Sequence, residues 1–177
     1  MTAAKLVKPG IEHKESYVEA LKEFQAEGRY TFLNIKNVEE NFEDFIEKVT
    51  TGKKHLHKPY AEWVEAVPET VLWLVKDKQF IGTLNIRHRL NWHLEKWGGH
   101  LNFIIRPSMR KKGFGKKLIQ KSIPYLNYLG IERALVTVDP EDIASIKLIE
   151  FCGGKLQDTT QATDKFPARR RYWLDCS

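Results

Sequence analysis

The chain has 177 residues, 42% of them hydrophobic and 29% charged, a balance that fits one globular domain and excludes general disorder. Lysine and arginine exceed aspartate and glutamate by 29 − 23 = 6, so the surface attracts anions, whether nucleic acid, an acidic membrane or a phosphorylated small molecule. No apolar run approaches the roughly 18–20 residues of a membrane span, and residues 1–6 lack the long apolar stretch of a secretory signal. Cys152 and Cys176 build neither a disulfide framework nor a four-cysteine zinc site, so a cytoplasmic protein with reduced thiols is expected.

Residues 5–8 read as a first strand, closed by Pro9-Gly10. Residues 13–27 read as a helix, because Tyr17, Val18, Leu21 and Phe24 recur at helical spacing. Residues 38–50 repeat that pattern with Val38, Phe42, Phe45, Ile46 and Val49, and Asn37 with Glu40 three residues on resembles a capping box. Between 51 and 69 the chain is polar, read as a loop with a short helical turn near Trp63. Its His55-x-His57 pair lacks a third ligand, so no metal site is expected.

The period then changes from 3.6 to 2. Residues 71–75 and 80–89 form an expected hairpin around the polar turn 76–79. A loop over 91–99 precedes a third strand, residues 100–106, which Pro107 ends by removing a backbone donor. Residues 114–129 form the clearest helix: Leu118, Ile119, Ile123, Leu126 and Leu129 share one face, and Pro124 is expected to kink or interrupt it. A strand over 133–139, a helix over 142–152, and two strands over 155–161 and 169–176 complete a mixed α/β pattern.

The chemistry concentrates in residues 104–116. A strand stops at Pro107, a basic loop with Gly113 and Gly115 follows, and a strong helix begins at once. The first turn of a helix carries unpaired N–H groups and partial positive charge, so it suits a phosphate. Arg110, Lys111, Lys112, Lys116 and Lys117 add full charges. Two common phosphate loops are excluded. In the P-loop pattern Gly-Lys is followed by Ser or Thr, whereas Lys117 follows Gly115-Lys116 and Arg110 holds the earlier glycine position. The dinucleotide pattern needs a third glycine where Leu118 stands.

Arg110-Lys111-Lys112-Gly113-Phe114-Gly115, set between Ile105-Arg106-Pro107 and Asp142-Ile143-Ala144-Ser145, resembles the GNAT superfamily of acyl-CoA-dependent N-acyltransferases. The resemblance covers residues 5–176 in element order and is specific over 100–154. Ile86-Arg87-His88 with Leu90, Gly98-Gly99-His100 and Arg106-Pro107-Ser108 look closest to uncharacterised, bacterial-type predicted acetyltransferases.

The resemblance implies a single acyltransferase domain over residues 1–177. Its fold class would be α/β (mixed, α+β-like): a central, mostly antiparallel twisted sheet of about seven strands with a splayed parallel pair, 100–106 and 133–139, flanked by about four helices. The pantetheine arm of acetyl-CoA would lie on Phe103, Ile104 and Ile105, with the Ile105 N–H polarising the thioester carbonyl. The diphosphate would sit on Arg110, Lys111, Lys112, Gly113, Phe114, Gly115 and Lys116. Asp142 stands where the family has Asn; with Ser145 it reads either as a contact to the pantetheine arm or as a helix cap. His100 and His88 are the base candidates, and Ile149 occupies the position where many members carry an acidic Tyr. The implied function is acetyl transfer from acetyl-CoA to a primary amine of a small molecule or peptide, by direct attack in a ternary complex. The alternative is a non-catalytic acyl-CoA-binding module. Neither nucleic acid nor membrane is an expected partner, and a homodimer is compatible with the pattern.

Overall fold

The computed structural model describes residues 3–51 and 65–177. The expected helical turn near Trp63 and the His55-x-His57 pair lie outside these described residues. The chain forms two compact units, neither continuous in sequence. Among the described residues the first holds 3–51, 71–84 and 103–114, and the second holds 65–70, 85–102 and 115–177.

Among the described residues the strands number seven: β1 (Lys5–Val7), β2 (Glu69–Lys76), β3 (Gln79–Arg87), β4 (Leu101–Ile105), β5 (Arg133–Val138), β6 (Lys155–Thr160) and β7 (Arg169–Asp175). They are hydrogen-bonded as a four-stranded sheet, β1-β2-β3-β4, and a three-stranded one, β5-β7-β6. The described residues also form α1 (Lys14–Ala26), α2 (Ile35–Glu40), α3 (Phe42–Thr50), α4 (Phe114–Tyr128) and α5 (Ile143–Phe151).

The first unit is built on aromatic packing. Tyr17 of α1 stacks on Trp73 of β2 with ring centroids 4.7 Å apart, and Phe80 of β3 meets both rings edge-on at 5.1 Å. Leu21 and Phe24 of α1, Phe42, Phe45 and Val49 of α3 and Val71 and Val75 of β2 complete that core. The hairpin of β2 and β3 turns on Asp77 and Lys78, both at positive φ (50° and 66°), the backbone that matches the right-handed twist of paired strands.

Four expectations from sequence change here. The helix expected over 38–50 is two helices, because Asn41 leaves helical geometry (φ −120°, ψ 40°) and its side-chain amide bonds back to Asn37 at 2.7 Å. The cap is Asn34, whose Oδ1 accepts the Asn37 N–H at 2.9 Å, and not Asn37 itself. The loop over 91–99 contains a five-residue π-helical turn, Leu94–Gly98. Pro124 lies within α4, which runs uninterrupted to Tyr128.

The second unit contains the antiparallel sheet β5-β7-β6, with Arg133 opposite Asp175 and Lys155 opposite Trp173. Its buried residues include Leu118, Ile119 and Leu126 of α4, Ile146 and Ile149 of α5, Leu135 and Val136 of β5 and Tyr172 and Leu174 of β7. The register of β6 shifts between Leu156 and Asp158, where the Gln157 side chain accepts the indole N–H of Trp173.

Candidate active site

β4 is the last strand of its sheet. The Arg106 N–H bonds to the Ile81 carbonyl at 2.7 Å, so by antiparallel alternation Ile105 and Phe103 direct their main-chain groups away from β3. The Ile105 carbonyl accepts from Arg110 Nε at 3.0 Å, consistent with that direction. The end of β4 thus presents a row of main-chain donors along an open edge, suited to an extended amide chain.

After β4 a 3-10 turn, Pro107–Met109, carries the chain into the basic loop. Lys111 adopts φ 60° and Gly113 φ 83°. Left-handed residues interleaved in a turn build the concave N–H nests that hold anions. The N–H groups of Lys111, Lys112 and Gly113 meet no acceptor among the described residues, and α4 begins at Phe114. The loop therefore offers what the sequence suggested, main-chain donors at a helix start with lysines beside them.

Arg110 is placed differently from the lysines. Its Nη1 and Nη2 donate to the carboxylate of Glu27, the residue that caps the C-terminus of α1, at 2.8 and 2.7 Å, so all three guanidinium nitrogens are engaged within the protein. Glu23, one turn earlier on α1, accepts from Arg106 Nε at 2.8 Å and from the Ser108 N–H and hydroxyl at 3.0 Å each. Burial would raise the Glu23 carboxyl, but Arg106 and the two Ser108 donors hold it below its ordinary value. The hydrogen bond from Arg110 does the same for Glu27. Both carboxylates are ionised at neutral pH, and what they contribute to stability is lost only as pH falls through their lowered values. Neither glutamate was singled out by sequence; the available signal was their one-turn spacing on α1.

In the second unit, His100 is buried. Its N–H donates to the Leu135 carbonyl at 2.8 Å and its Nδ1 accepts the Leu135 N–H at 2.9 Å. Burial, reinforced by the Arg87 charge, pushes its pKa down to about 4. The ring is therefore neutral at neutral pH, with its one acceptor nitrogen committed to β5. Arg87 is fixed by the Gly98 and Gly99 carbonyls at 2.9 and 3.3 Å. His88 holds its Nε2 2.6 Å from the Thr70 hydroxyl.

Asp142 caps α5. Its Oδ1 accepts the Ser145 N–H at 3.1 Å and its Oδ2 accepts the Ser145 hydroxyl at 2.7 Å. An Asp142→Ala variant is expected to lose about 1 kcal/mol of stability, the usual worth of such a cap, measured by urea unfolding; an unchanged midpoint would refute it. Lys116 places its ammonium 4.2 Å from the centre of the Phe151 ring. Ile149 is fully buried, so no hydroxyl acid stands at that position. Among the described residues no group of three His, Cys, Asp or Glu could hold a metal, and no helix is long and apolar enough to cross a membrane.

Residues 34–153 match the model of the acetyltransferase (GNAT) family. No curated protein matches the chain in sequence. Among solved structures the chain is similar to Mycobacterium smegmatis RimJ in complex with CoA-disulfide (TM-score 0.68, 12% identity, 97% of this chain and 81% of that one). It is also similar to the microcin C7 self-immunity acetyltransferase MccE in complex with acetyl-CoA and AMP (TM-score 0.67, 12% identity, 99% and 93%). A third is a spermidine N-acetyltransferase SpeG chimera from Vibrio cholerae and hSSAT (TM-score 0.61, 16% identity, 99% and 96%). At these identities the likeness is one of fold. The family match extends over the β4–loop–α4 segment and the start of α5, and on it the chain belongs to the acetyltransferase (GNAT) family, whose acyl donor is acetyl-CoA.

Proposed function

We propose that the protein transfers the acetyl group of acetyl-CoA to a primary amine of a small molecule or peptide, by direct attack in a ternary complex. The observation that carries this reading is the pairing, within the first unit, of an open β4 edge with an N–H-lined basic loop. Those features fit the two ends of the donor: an extended pantetheine amide chain and a diphosphate.

Acetyl-CoA supplies an activated thioester. Phe103 and Ile105 hold its arm by main-chain bonds, and the Ile105 N–H is aimed to stabilise charge on the carbonyl oxygen. The N–H groups of Lys111, Lys112 and Gly113 and the side chains of Lys111 and Lys112 hold the diphosphate, ahead of the first turn of α4. Asp142 and Ser145 shape the start of α5 by engaging each other. An amine attacks only when neutral, so a proton must be removed. Of the two base candidates, His88 and His100, His100 is disfavoured, because its Nδ1 is already an acceptor for Leu135 and burial lowers its basicity. With Ile149 in place of an acid, the thiolate either takes its proton from another group or leaves unprotonated.

Isothermal titration with acetyl-CoA tests the reading: saturable binding is expected, weakened by the Lys111→Ala/Lys112→Ala pair and by added salt. Absence of binding up to millimolar ligand would overturn it. The engaged His100 and the apolar Ile149 favour a second reading, a binding module without turnover. A mass shift of +42 Da (about one acetyl group) on polyamines, amino acids or peptides would exclude that alternative.

A further inference from the structure

The geometry points to helix α1 as part of the coenzyme site: Glu23 and Glu27 are positioning residues for the diphosphate loop, and Arg110 acts through Glu27 without touching the diphosphate. This deepens the proposed function and rests on the reading of the loop as the diphosphate seat.

Glu23 in the last turns of α1 and Glu27 at its C-cap lie four residues apart, on the same side of the helix end. That side draws in alternate residues of one short segment. Glu23 takes Arg106 and both donors of Ser108, and Glu27 takes Arg110 through two parallel bonds. The segment 106–110 is thereby tied on both sides of the 3-10 turn. Arg110 Nε closes the tie onto the Ile105 carbonyl, the residue whose N–H is proposed to face the thioester. The chain between these elements is 83 to 85 residues long, so the contact is made by the fold and not by local geometry.

Two features argue that the tie serves the loop. First, Lys111, immediately after Arg110, sits at φ 60°, a conformation non-glycine residues hold only when their surroundings enforce it. The doubly bonded Arg110 supplies that enforcement on one side. Second, the Arg110 charge is balanced by Glu27, which also receives Arg29 Nε at 3.2 Å. An incoming phosphate would have to replace one anion on Arg110 by another, with little net gain. The loop's attraction for phosphate then comes from its N–H groups and from Lys111 and Lys112, and the arginine keeps those donors in place.

Calorimetry with coenzyme A, beside a melting curve for each variant, tests this. If the wild-type protein fails to bind coenzyme A, the diphosphate reading itself falls, which is distinct from failure of the present inference. Given wild-type binding, Glu27→Gln is expected to raise Kd about tenfold, the cost of ordering roughly one more residue, even though the chain becomes more positive. Arg110→Glu is expected to weaken binding at least as much, and the exchange Glu27→Arg with Arg110→Glu to restore it to within about threefold of wild type. Equal or tighter binding by Glu27→Gln, or a charge exchange as weak as Arg110→Glu alone, would overturn the proposal, since both mean that a free guanidinium serves the phosphate directly. Should the exchange variant not fold, Glu27→Gln decides alone.

Discussion

Replacing Gly99 with alanine is expected to cost the protein about 3–5 kcal/mol of stability, combining a backbone conformation open essentially to glycine with steric overlap. Gly99 adopts φ 66° and ψ −172°. A Cβ built there would lie 2.4 Å from the Leu135 carbonyl oxygen, a main-chain atom that cannot rotate away. That carbonyl is the acceptor for the His100 N–H, so relieving the clash would move β5 off the segment it bonds. A loss of this size is a large fraction of the roughly 5–15 kcal/mol that keeps a domain folded. Urea unfolding of Gly99→Ala beside wild type measures it, and a change below about 1 kcal/mol would mean that the approach to β5 is not tight.

The second large effect concerns His100. In His100→Leu the Leu135 N–H loses its acceptor in a buried setting, a cost of about 1–3 kcal/mol. His100→Asn offers an oxygen in place of the ring nitrogen and is expected to recover part of that loss. The two differ from wild type in pH dependence as well. His100 has a folded pKa of about 4 against an ordinary value of 6.5. Between those values the unfolded chain binds the proton and the folded protein does not. Stability from this group is complete above pH 6.5 and declines as pH falls toward 4, by up to about 3 kcal/mol. His93, lowered first by burial and then by the Arg87 charge, contributes with the same sign, but it is present in all three proteins and cancels in the comparison. The stability advantage of wild type over His100→Asn is expected to be largest near pH 7 and to shrink as pH falls toward 4. Parallel curves across that window would show that His100 is not held neutral by its surroundings.

The same comparison bears on catalysis. A histidine with its acceptor nitrogen bonded to β5 takes up a proton only by giving up that bond. An acetyl-transfer rate should therefore keep the same apparent pKa in His100→Asn as in wild type.

The features legible in the sequence were those set within a few residues. Pro107 ended a strand, two glycines and a basic run opened a loop, and an amphipathic stretch continued as α4; each signal is a local backbone preference, legible before any fold is known. The break within 38–50 is not legible in the sequence because Asn34, Asn37 and Asn41 are all of a capping residue type in a short span, and composition alone does not say which one starts a helix. The burial of Phe42, Phe45 and Val49 against Tyr17 and Trp73 goes with the second start at Asn41.

What the tertiary structure alone decided are the partners of charged and polar side chains. Arg110 read in sequence as a phosphate ligand, and in the fold it is bonded to Glu27; His100 read as a base, and in the fold its nitrogen accepts from Leu135, 35 residues away. Backbone geometry follows from neighbours in the chain. The charge state of a guanidinium or an imidazole depends on whichever groups the fold brings within about 3 Å, and hydrogen bonds fall off too steeply with distance for sequence spacing to predict them.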